Sequence, residues 1–234
     1  MTEARYWGLV PAAGLGSRMG SACPKQYLPL LQKTVLEQTL ARLLAWNRLE
    51  KVMVVLHPED HRFSQLPMAG NSRIARCNGG AERADSVLAG LESLSIWAEP
   101  RDWVLVHDAA RPCVRLQDLQ RLREELHEDA VGGLLACRVS ATVKRADRRN
   151  RVAATVDRKP LWLAQTPQMF RFQLLWDALK AARERGGAVT DDAAAMELAG
   201  FQPRLIAGDV CNIKITRQRD LTLAKAWLLE EGCP

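Results

Sequence analysis

The sequence predicts an α/β fold in which helices flank a wound, mostly parallel sheet. Two observations predict it. Short β-branched runs alternate with longer segments of helical period, an order typical of parallel βαβ units. The run "WVLVHDAARP" also begins with continuous apolar character, as central parallel strands do. With 234 residues the chain is long enough for one sizeable domain, which we expect to span residues 1–234.

The first part of the chain supplies most of the predicted sheet. The first strand covers about Trp7 to Val10, and later strands are expected in "KVMVVL", "RIARC", "WVLVHDAARP" and "VGGLLAC". Apolar residues recur at helical spacing in "TVLEQTLARLLAWNRL" and "ERADSVLAGLESL", and "LQDLQRLREELHE" is typical of a charged surface helix. These elements predict a Rossmann-like sheet with helices on its faces.

The pattern changes between Arg138 and Lys159. Two alternating segments, "TVKR" and "VAATV", flank the charged stretch "RADRRNR", which predicts a β-hairpin. Because this hairpin has no apolar face, it cannot belong to the core, and we interpret it as an arm that projects onto a partner subunit. Beyond it we expect helices in "RFQLLWDALKAARERGG" and near "TDDAAAMELAG", then a strand in "NIKIT" and a final helix.

Composition narrows the class of protein. A net charge of +6 and a pI of about 9.2 suit a slightly basic enzyme. Between Arg138 and Lys159 there is no aromatic side chain on which bases could stack, so we expect no nucleic-acid partner. Six cysteines without a C-x-x-C pair predict neither a zinc cluster nor a disulfide framework. Without a signal-peptide pattern or a run of about 18 apolar residues, we expect a cytoplasmic protein with no membrane partner.

The stretch "LVPAAGLGSRMGSACPKQYL" is a candidate phosphate loop. A strand runs into small residues that include Gly14 and Gly16, with Arg18 and Lys25 beyond them. Amides free of bulky side chains can close around anionic oxygens, and the two cations would neutralise a triphosphate. The better-known loops are excluded, because G-x-x-x-x-G-K-[ST] is absent and Met19 stands where G-x-G-x-x-G needs its third glycine.

Other candidate groups follow predicted strands. Asp108 ends a central strand at the carboxyl edge, where it is either a turn residue or a holder of Mg²⁺ beside a polyphosphate. His107 receives no catalytic role, because nucleotidyl transfer depends mainly on positioning and charge neutralisation. The turn "CNGGAERADS" carries two glycines, Arg83 and Ser86, and is either a ligand-binding loop or an ordinary helix cap. Strand alternation would leave Lys214 as a lone cation on the sheet.

In their order and spacing, eight blocks closely resemble the 2-C-methyl-D-erythritol 4-phosphate cytidylyltransferase family of the non-mevalonate isoprenoid pathway. The blocks are "PAAGLGSRM", "PKQYL", "GGAERADSV", "VHDAARPC", "TVKR", "TVDRKPLWLAQTPQ", "TDDAAAMEL" and "NIKIT". The resemblance covers nearly the whole chain. It implies a homodimer that uses Mg²⁺ or another divalent cation to convert CTP and 2-C-methyl-D-erythritol 4-phosphate to 4-diphosphocytidyl-2-C-methyl-D-erythritol and pyrophosphate, by in-line attack on the α-phosphate.

The resemblance also implies roles for individual residues. The residues that would bind CTP are Ala12, Ala13, Gly14, Gly16, Gly80, Ala81, Ser86, Asp108 and Ala109. Among these, the backbone around Gly80 and Ala81 and the Ser86 hydroxyl would read cytosine. Arg18 and Lys25 would stabilise the α-phosphate, and Arg158 and Lys214 would grip the attacking phosphate. The acceptor would be held by Asp108, Arg111, Thr142, Arg158, Thr166, Thr190 and Lys214, and the metal by Asp108. Thr142 and Arg158 lie on the arm and would therefore act on the partner's site.

One departure and three alternatives accompany this interpretation. Family members often carry an acidic residue where Ala81 stands, so the affinity for cytosine would be lower if that side chain matters. The same chemistry on ribitol 5-phosphate is an alternative. A nicotinamide-binding dehydrogenase would need an acid at the end of the second strand, where "VVLHPED" offers His57 before Pro58. A nucleic-acid binding module would show affinity that falls steeply with salt.

Overall fold

The computed structural model describes residues 3–14, 23–186 and 189–232. Its strands are β1 (Tyr6–Pro11), β2 (Pro29–Leu30), β3 (Lys33–Thr34), β4 (Leu49–Leu56), β5 (Ile74–Asn78), β6 (Trp103–Val106), β7 (Gly132–Arg138), β8 (Val143–Ala146), β9 (Val152–Val156), β10 (Trp162–Arg171) and β11 (Arg204–Ala207). Its helices are α1 (Val35–Ala45), α2 (Arg83–Leu94), α3 (Leu116–Leu126), α4 (Phe172–Glu184), α5 (Asp192–Leu198) and α6 (Gln218–Glu230). None of these described helices combines the length and the apolar character needed to cross a membrane.

Seven strands form the main sheet, in the order β11-β7-β10-β6-β1-β4-β5. Strands β5, β4, β1 and β6 run parallel to one another, and β11 is parallel to β7. Strand β10 is antiparallel to both β6 and β7. The prediction of a mostly parallel, Rossmann-like sheet is confirmed. Because β1 and β6 are parallel neighbours, their carboxyl ends meet at one edge of the sheet, where ligands bind in open α/β folds.

Apolar side chains cover both faces of this sheet, which explains the continuous apolar runs of its central strands. On one face, Leu40 of α1 and Leu119 of α3 pack in a fully buried cluster with alternate strand residues. On the other, Leu91 of α2 and Leu175 of α4 do the same. Helix α1 begins where the Thr34 hydroxyl accepts a hydrogen bond from the Glu37 amide, closing a capping box.

The predicted arm forms a separate two-stranded sheet of β8 and β9, in antiparallel pairing. Most of its residues are exposed. Its base continues β7 and β10, since Arg138 pairs with Trp162 in the main sheet. The hairpin prediction is therefore confirmed, and the two strands that carry it are anchored in the core.

Two parts of the second half differ from the predictions. The expected strand in "NIKIT" is wrong: residues 212–216 form an extended loop, because their pairing is limited to single bonds such as the Ile215 amide to the Ala110 carbonyl. Strands β10 and β11 are not expected from the sequence. Pro167 and several polar residues obscure β10, and its pairing with β7 skips from Ala164 to Gln168 around the proline.

Candidate active site

A cleft of about 340 Å³ opens at the carboxyl edge of the sheet, beside the ends of β1, β5 and β6. Most of the residues predicted to bind nucleotide or phosphate line it. These are Ala12, Ala13, Gly14, Lys25, Gly80, Ala81, Ser86, Asp108, Ala109 and Lys214. Gln26, Glu82, Arg83, Ala110 and Thr216 also line it, next to Pro11. Gly16 and Arg18 lie outside the described residues.

The segment after β1 is held by a buried side chain that the sequence analysis did not single out. The Gln26 amide donates to the Ala12 carbonyl at 2.8 Å and to the Gly14 carbonyl at 3.1 Å. The Ala12 amide in turn donates to the Val55 carbonyl at 2.7 Å. Next to Gln26, the Lys25 ammonium lies 3.2 Å from the Ile215 carbonyl. The backbone that begins the candidate phosphate loop is therefore positioned before any ligand binds.

The turn between β5 and α2 lies on the opposite wall and contacts this segment directly. A Cβ atom on Gly79 would lie 2.7 Å from both the Ala13 Cβ and the Ser86 hydroxyl, so only glycine allows the close approach. The Ser86 hydroxyl is buried and donates to the Glu82 carbonyl at 3.1 Å, while it accepts from the Gly80 amide at 3.3 Å. Ser86 thus fixes the shape of the turn in addition to lining the cleft.

Asp108 is the centre of charge in the cleft, and its side chain is 9% exposed. Its carboxylate contacts three cations: Lys214 Nζ at 2.8 Å, Arg83 Nε at 3.2 Å and Arg111 Nε at 3.4 Å. Burial alone would raise the pKa of Asp108, but the charges of Arg83, Lys214 and Arg111 outweigh it and lower the pKa below its usual range. The carboxylate is therefore ionised at neutral pH.

Arg83 joins this carboxylate to a second one. Its two terminal nitrogens donate to the Asp192 carboxylate at 3.1 and 2.8 Å, in the bidentate geometry that suits guanidinium. Asp192 is fully buried at the start of α5, and burial raises its pKa while Arg83 opposes that rise. The motif "TDDAAAMEL" contains Asp192, but the sequence does not show which of its two acids caps the helix and which faces Arg83.

His107, next to Asp108, is structural. Its Nε2 lies 2.9 Å from the Arg111 carbonyl, an acceptor, so the ring proton sits on Nε2 and Nδ1 accepts from the Thr166 hydroxyl at 3.0 Å. Burial lowers the pKa of His107 to about 4, so the ring is neutral at pH 7. The Thr166 oxygen also accepts from the Asp108 amide at 3.0 Å. Thr166 and His107 together orient Asp108 from beneath the cleft.

The remaining predicted residues are not all at the cleft. Arg111 is next to it, held by Asp108 and by the Asn212 carbonyl at 2.6 Å. Thr190 is exposed just before α5. Thr142 and Arg158 are exposed on the arm, where Arg158 donates to the Ser140 carbonyl. The single chain therefore gathers those predicted nucleotide residues that the structure describes, and it leaves the predicted arm residues outside the cleft.

The donor set for a metal is sparse. Within the described ranges, no group of three or more His, Cys, Asp or Glu side chains has the spacing of a metal centre. Asp108 offers an ionised carboxylate to the cleft, while Asp192 is turned away into Arg83. Mg²⁺ is commonly held by one or two carboxylates together with water and substrate phosphates, so Asp108 beside a bound polyphosphate fits such an ion.

Comparison with known proteins identifies the family. The sequence model of the 2-C-methyl-D-erythritol 4-phosphate cytidylyltransferase family matches residues 7–230. The chain is 51% identical over 221 residues to the protein of that name from Klebsiella pneumoniae, covering 94% of this chain and 92% of the relative. It is 48% identical over the same length to the Salmonella typhimurium protein of that name, with the same coverage of both chains.

Solved structures agree with the sequence comparison. A crystal structure of 4-diphosphocytidyl-2C-methyl-D-erythritol synthase superposes with a TM-score of 0.84 at 37% identity, covering 97% of this chain and all (100%) of that one. The Francisella tularensis 2-C-methyl-D-erythritol 4-phosphate cytidylyltransferase gives a TM-score of 0.82 at 34% identity, covering 96% and 100%. Matching sequence and fold lead to one conclusion: this chain belongs to the 2-C-methyl-D-erythritol 4-phosphate cytidylyltransferase family.

Proposed function

We propose that the cleft transfers the cytidylyl group of CTP to the phosphate of 2-C-methyl-D-erythritol 4-phosphate, the reaction for which the family is named. A phosphate oxygen of the acceptor attacks the α-phosphorus of CTP, the bond to the β-phosphate breaks, and pyrophosphate leaves with its electrons. The observation that carries the proposal is the carboxylate of Asp108, which three cations hold on the wall of a cleft that Lys25 also lines.

Charge is the main barrier that this chain must lower, since both reactants are anions. Lys25 and Lys214 both line the cleft and are the described cations best placed to meet phosphate oxygens there. Arg18, from the same loop as Gly16, is proposed to join them. Cations fixed before the reaction stabilise developing phosphate charge without reorganising during it. The small side chains at Ala12–Gly14 and Gly80–Ala81 leave room for the nucleotide in the cleft. Ser86 fixes the shape of the turn that contains Gly80 and Ala81.

Asp108 is proposed to hold Mg²⁺ or a similar ion. Its low pKa and its place on the cleft wall support this role. When bound, such an ion would neutralise phosphate charge and orient the triphosphate. Lys214 is 39% exposed, so it is the partner of Asp108 that can most readily turn toward a phosphate.

The acceptor subsite is proposed to be completed by a second copy of the chain. Arg111 and Thr166 contact Asp108. Thr190 lies two positions before Asp192, whereas Thr142 and Arg158 are exposed on the arm. Arg158 carries a fork that can bind a phosphate in two places. A homodimer in which each arm reaches the partner's cleft would bring these residues together, and the protein is proposed to be a single-domain subunit of such a dimer. The five described cysteines form no disulfide, which agrees with the proposed cytoplasmic location.

Pyrophosphate release tests the reaction. CTP, UTP, ATP and GTP would each be offered with Mg²⁺ and with methylerythritol 4-phosphate or ribitol 5-phosphate. We expect turnover with CTP and methylerythritol 4-phosphate alone. The ribitol alternative is not favoured, since the family model and the relatives reported above carry the methylerythritol name. Turnover with ribitol 5-phosphate would move the protein to another pathway, and no turnover with any pair would contradict the proposal.

Subunit mixing tests the arm. Lys25→Ala disables a cleft and Arg158→Ala disables an arm, so each pure variant should turn over slowly. In a mixed dimer, one site combines an intact cleft with the other subunit's intact arm. After subunit exchange at equal concentrations we expect recovery to about a quarter of the wild-type activity, because half the dimers are mixed and half their sites are intact. Exchange without recovery would show that Arg158 does not act on the partner's site. Two Lys25→Ala samples mixed together are the control.

A further inference from the structure

Asp192 has no place in the reaction described above, yet it is fully buried and tightly paired with a residue of the cleft wall. We propose that Asp192 is a positioning residue, which holds Arg83 so that Arg83 in turn holds the Asp108 carboxylate in its working position. The inference rests on the proposed function and adds two residues to it.

The three cations around Asp108 are anchored to different degrees. Lys214 is partly exposed and ends in a single ammonium. Arg83 donates from both terminal nitrogens to Asp192 and from its Nε to Asp108, so all three guanidinium nitrogens contact a carboxylate. If Lys214 turns toward a phosphate, Arg83 still fixes the Asp108 oxygen that it contacts. Asp192 therefore determines whether Asp108 keeps its direction while substrate binds.

The residues on both sides of Asp192 are tied to the sheet. The Gln168 side chain on β10 donates to the Asp191 carboxylate at 2.8 Å and accepts from the Ala193 amide at 2.7 Å. Gln168 is buried. Strand β10 also carries Thr166, which accepts from the Asp108 amide. Strand β10 thus positions Asp108 in two ways. Thr166 holds the Asp108 backbone directly, and Gln168 supports the pair of Asp192 and Arg83 that holds the Asp108 side chain.

Stability alone does not account for this pair. Burying two charges costs desolvation, and a well-packed apolar pair of similar size is often as stable or more stable. Arg83 also bonds outside this pair, because its Nε donates to the Asp108 carboxylate in the cleft. A contact that extends to the reaction centre is what a positioning role requires.

A double-mutant cycle separates positioning from folding. The variants are Asp192→Asn, Arg83→Gln, their combination, and Arg83→Lys, with kcat, KM for CTP and Tm measured for each. Arg83→Gln alone leaves a buried unpaired carboxylate, so we expect Tm to fall by roughly 10 °C. The double variant removes both charges, so its Tm should return close to that of the wild type. Its kcat should stay about 10²-fold low, because Asp108 is no longer aligned.

The losses of kcat caused by Asp192→Asn and by Arg83→Gln should not multiply when the two substitutions are combined. If Asp192 acts through Arg83, Asp192→Asn lowers kcat in the wild type but has no further effect once Arg83 is Gln. Arg83→Lys keeps the charge and the fold but cannot span two carboxylates, so we expect a near-normal Tm with a low kcat. Arg183→Gln is the matched control: Arg183 contacts Asp85 on the other side of α2 at 3.8 Å, is largely exposed, and should leave kcat and Tm unchanged.

Several outcomes would overturn the inference. These are a wild-type kcat in Asp192→Asn, a kcat that recovers together with Tm in the double variant, or single effects on kcat that simply multiply. The wild type measured alongside keeps the two proposals apart. Turnover in the wild type with unaffected variants contradicts the positioning role alone, whereas no turnover in the wild type contradicts the proposed function and this inference with it.

Discussion

The cleft and the arm are both rich in charge but hold their charges in different ways. Around Asp108, each arginine is bonded to a further group of the fold: Arg83 to Asp192 and Arg111 to the Asn212 carbonyl. On the arm, Arg158 is exposed and contacts a neighbouring backbone carbonyl, and most residues around it are exposed as well. Arginine side chains are therefore held in place by further bonds in the cleft, whereas the arginine on the arm is exposed.

This difference indicates where each region is completed. The cleft is positioned by its own chain, because β10, α5 and the loop at 212–216 converge on Asp108. The arm has no buried apolar face to orient its side chains. A two-stranded ribbon is marginally stable by itself, which agrees with the proposed packing of the arm on a second copy of the chain. Three measurements test how differently the cleft and the arm are held.

The largest effect is expected from Lys214→Ala. Lys214 contacts Asp108 at 2.8 Å and lines the cleft, so its removal takes one cation from the proposed phosphate site. Removal of one preorganised group that stabilises transition-state charge typically costs about 10²- to 10³-fold in kcat. We expect such a loss with Tm little changed, because the side chain is 39% exposed. Lys144→Ala on the arm is the comparison, and equal losses in the two variants would contradict the division drawn here.

A smaller effect is expected from pH, through His107 beneath the cleft. Its folded pKa is lowered to about 4, below the usual 6.5, so between these values the unfolded chain binds more protons than the folded one. Stability is complete above about pH 6.5 and falls as the pH drops toward 4, by about 3 kcal/mol in total.

Denaturant unfolding at several pH values checks this slope. His107→Gln should flatten it over that interval, and comparison of the two proteins cancels the contributions of the carboxylates and of the other histidines. The same slope in both proteins would show that His107 does not titrate with unfolding.

The smallest effect is expected at the tip of the arm. Asn150 has a φ of 58°, a left-handed conformation in which alanine costs roughly 1–2 kcal/mol. If the arm is independent of the core, Asn150→Ala loosens the turn with almost no change in the main unfolding transition. Gly132→Ala is the contrast, because a Cβ there would lie 2.1 Å from the Met169 carbonyl oxygen in the main sheet, and its Tm should fall strongly. A comparable fall for Asn150→Ala would mean that arm and sheet unfold together.

Sequence patterns predicted the sheet well where local signals were strong. The apolar run of β6, the amphipathic helices α1 and α2, and the hairpin of β8 and β9 are all confirmed. Strand β10 was not expected, since a proline and polar residues interrupt its pattern. Two of those polar residues bond to neighbours that are distant in sequence: Thr166 accepts from the Asp108 amide, and Gln168 donates to the Asp191 carboxylate.

For the site, the motifs identified most of the residues that line the cleft but not those that orient them. The roles of these residues depend on contacts across long stretches of sequence. Gln26 bonds to a residue 14 positions away, Asp192 to one 109 positions away, and His107 to one 59 positions away. No local spacing encodes such pairs. Arg83 lies within the turn motif "CNGGAERADS", but its two carboxylate partners come close to it only when α2, α5 and the end of β6 are brought together.

Sequence patterns were enough to predict the family, the alternation of strands and helices, and the loops whose small residues and cations suit a nucleotide. These depend on local periodicity and on residue types along short segments, which a chain carries whether or not it is folded. The tertiary structure alone decided the direction of the Asp108 carboxylate, the burial of Asp192 and the protonation of His107. Direction, burial and pKa arise from neighbours assembled across the sheet, and those neighbours exist only after the chain has folded.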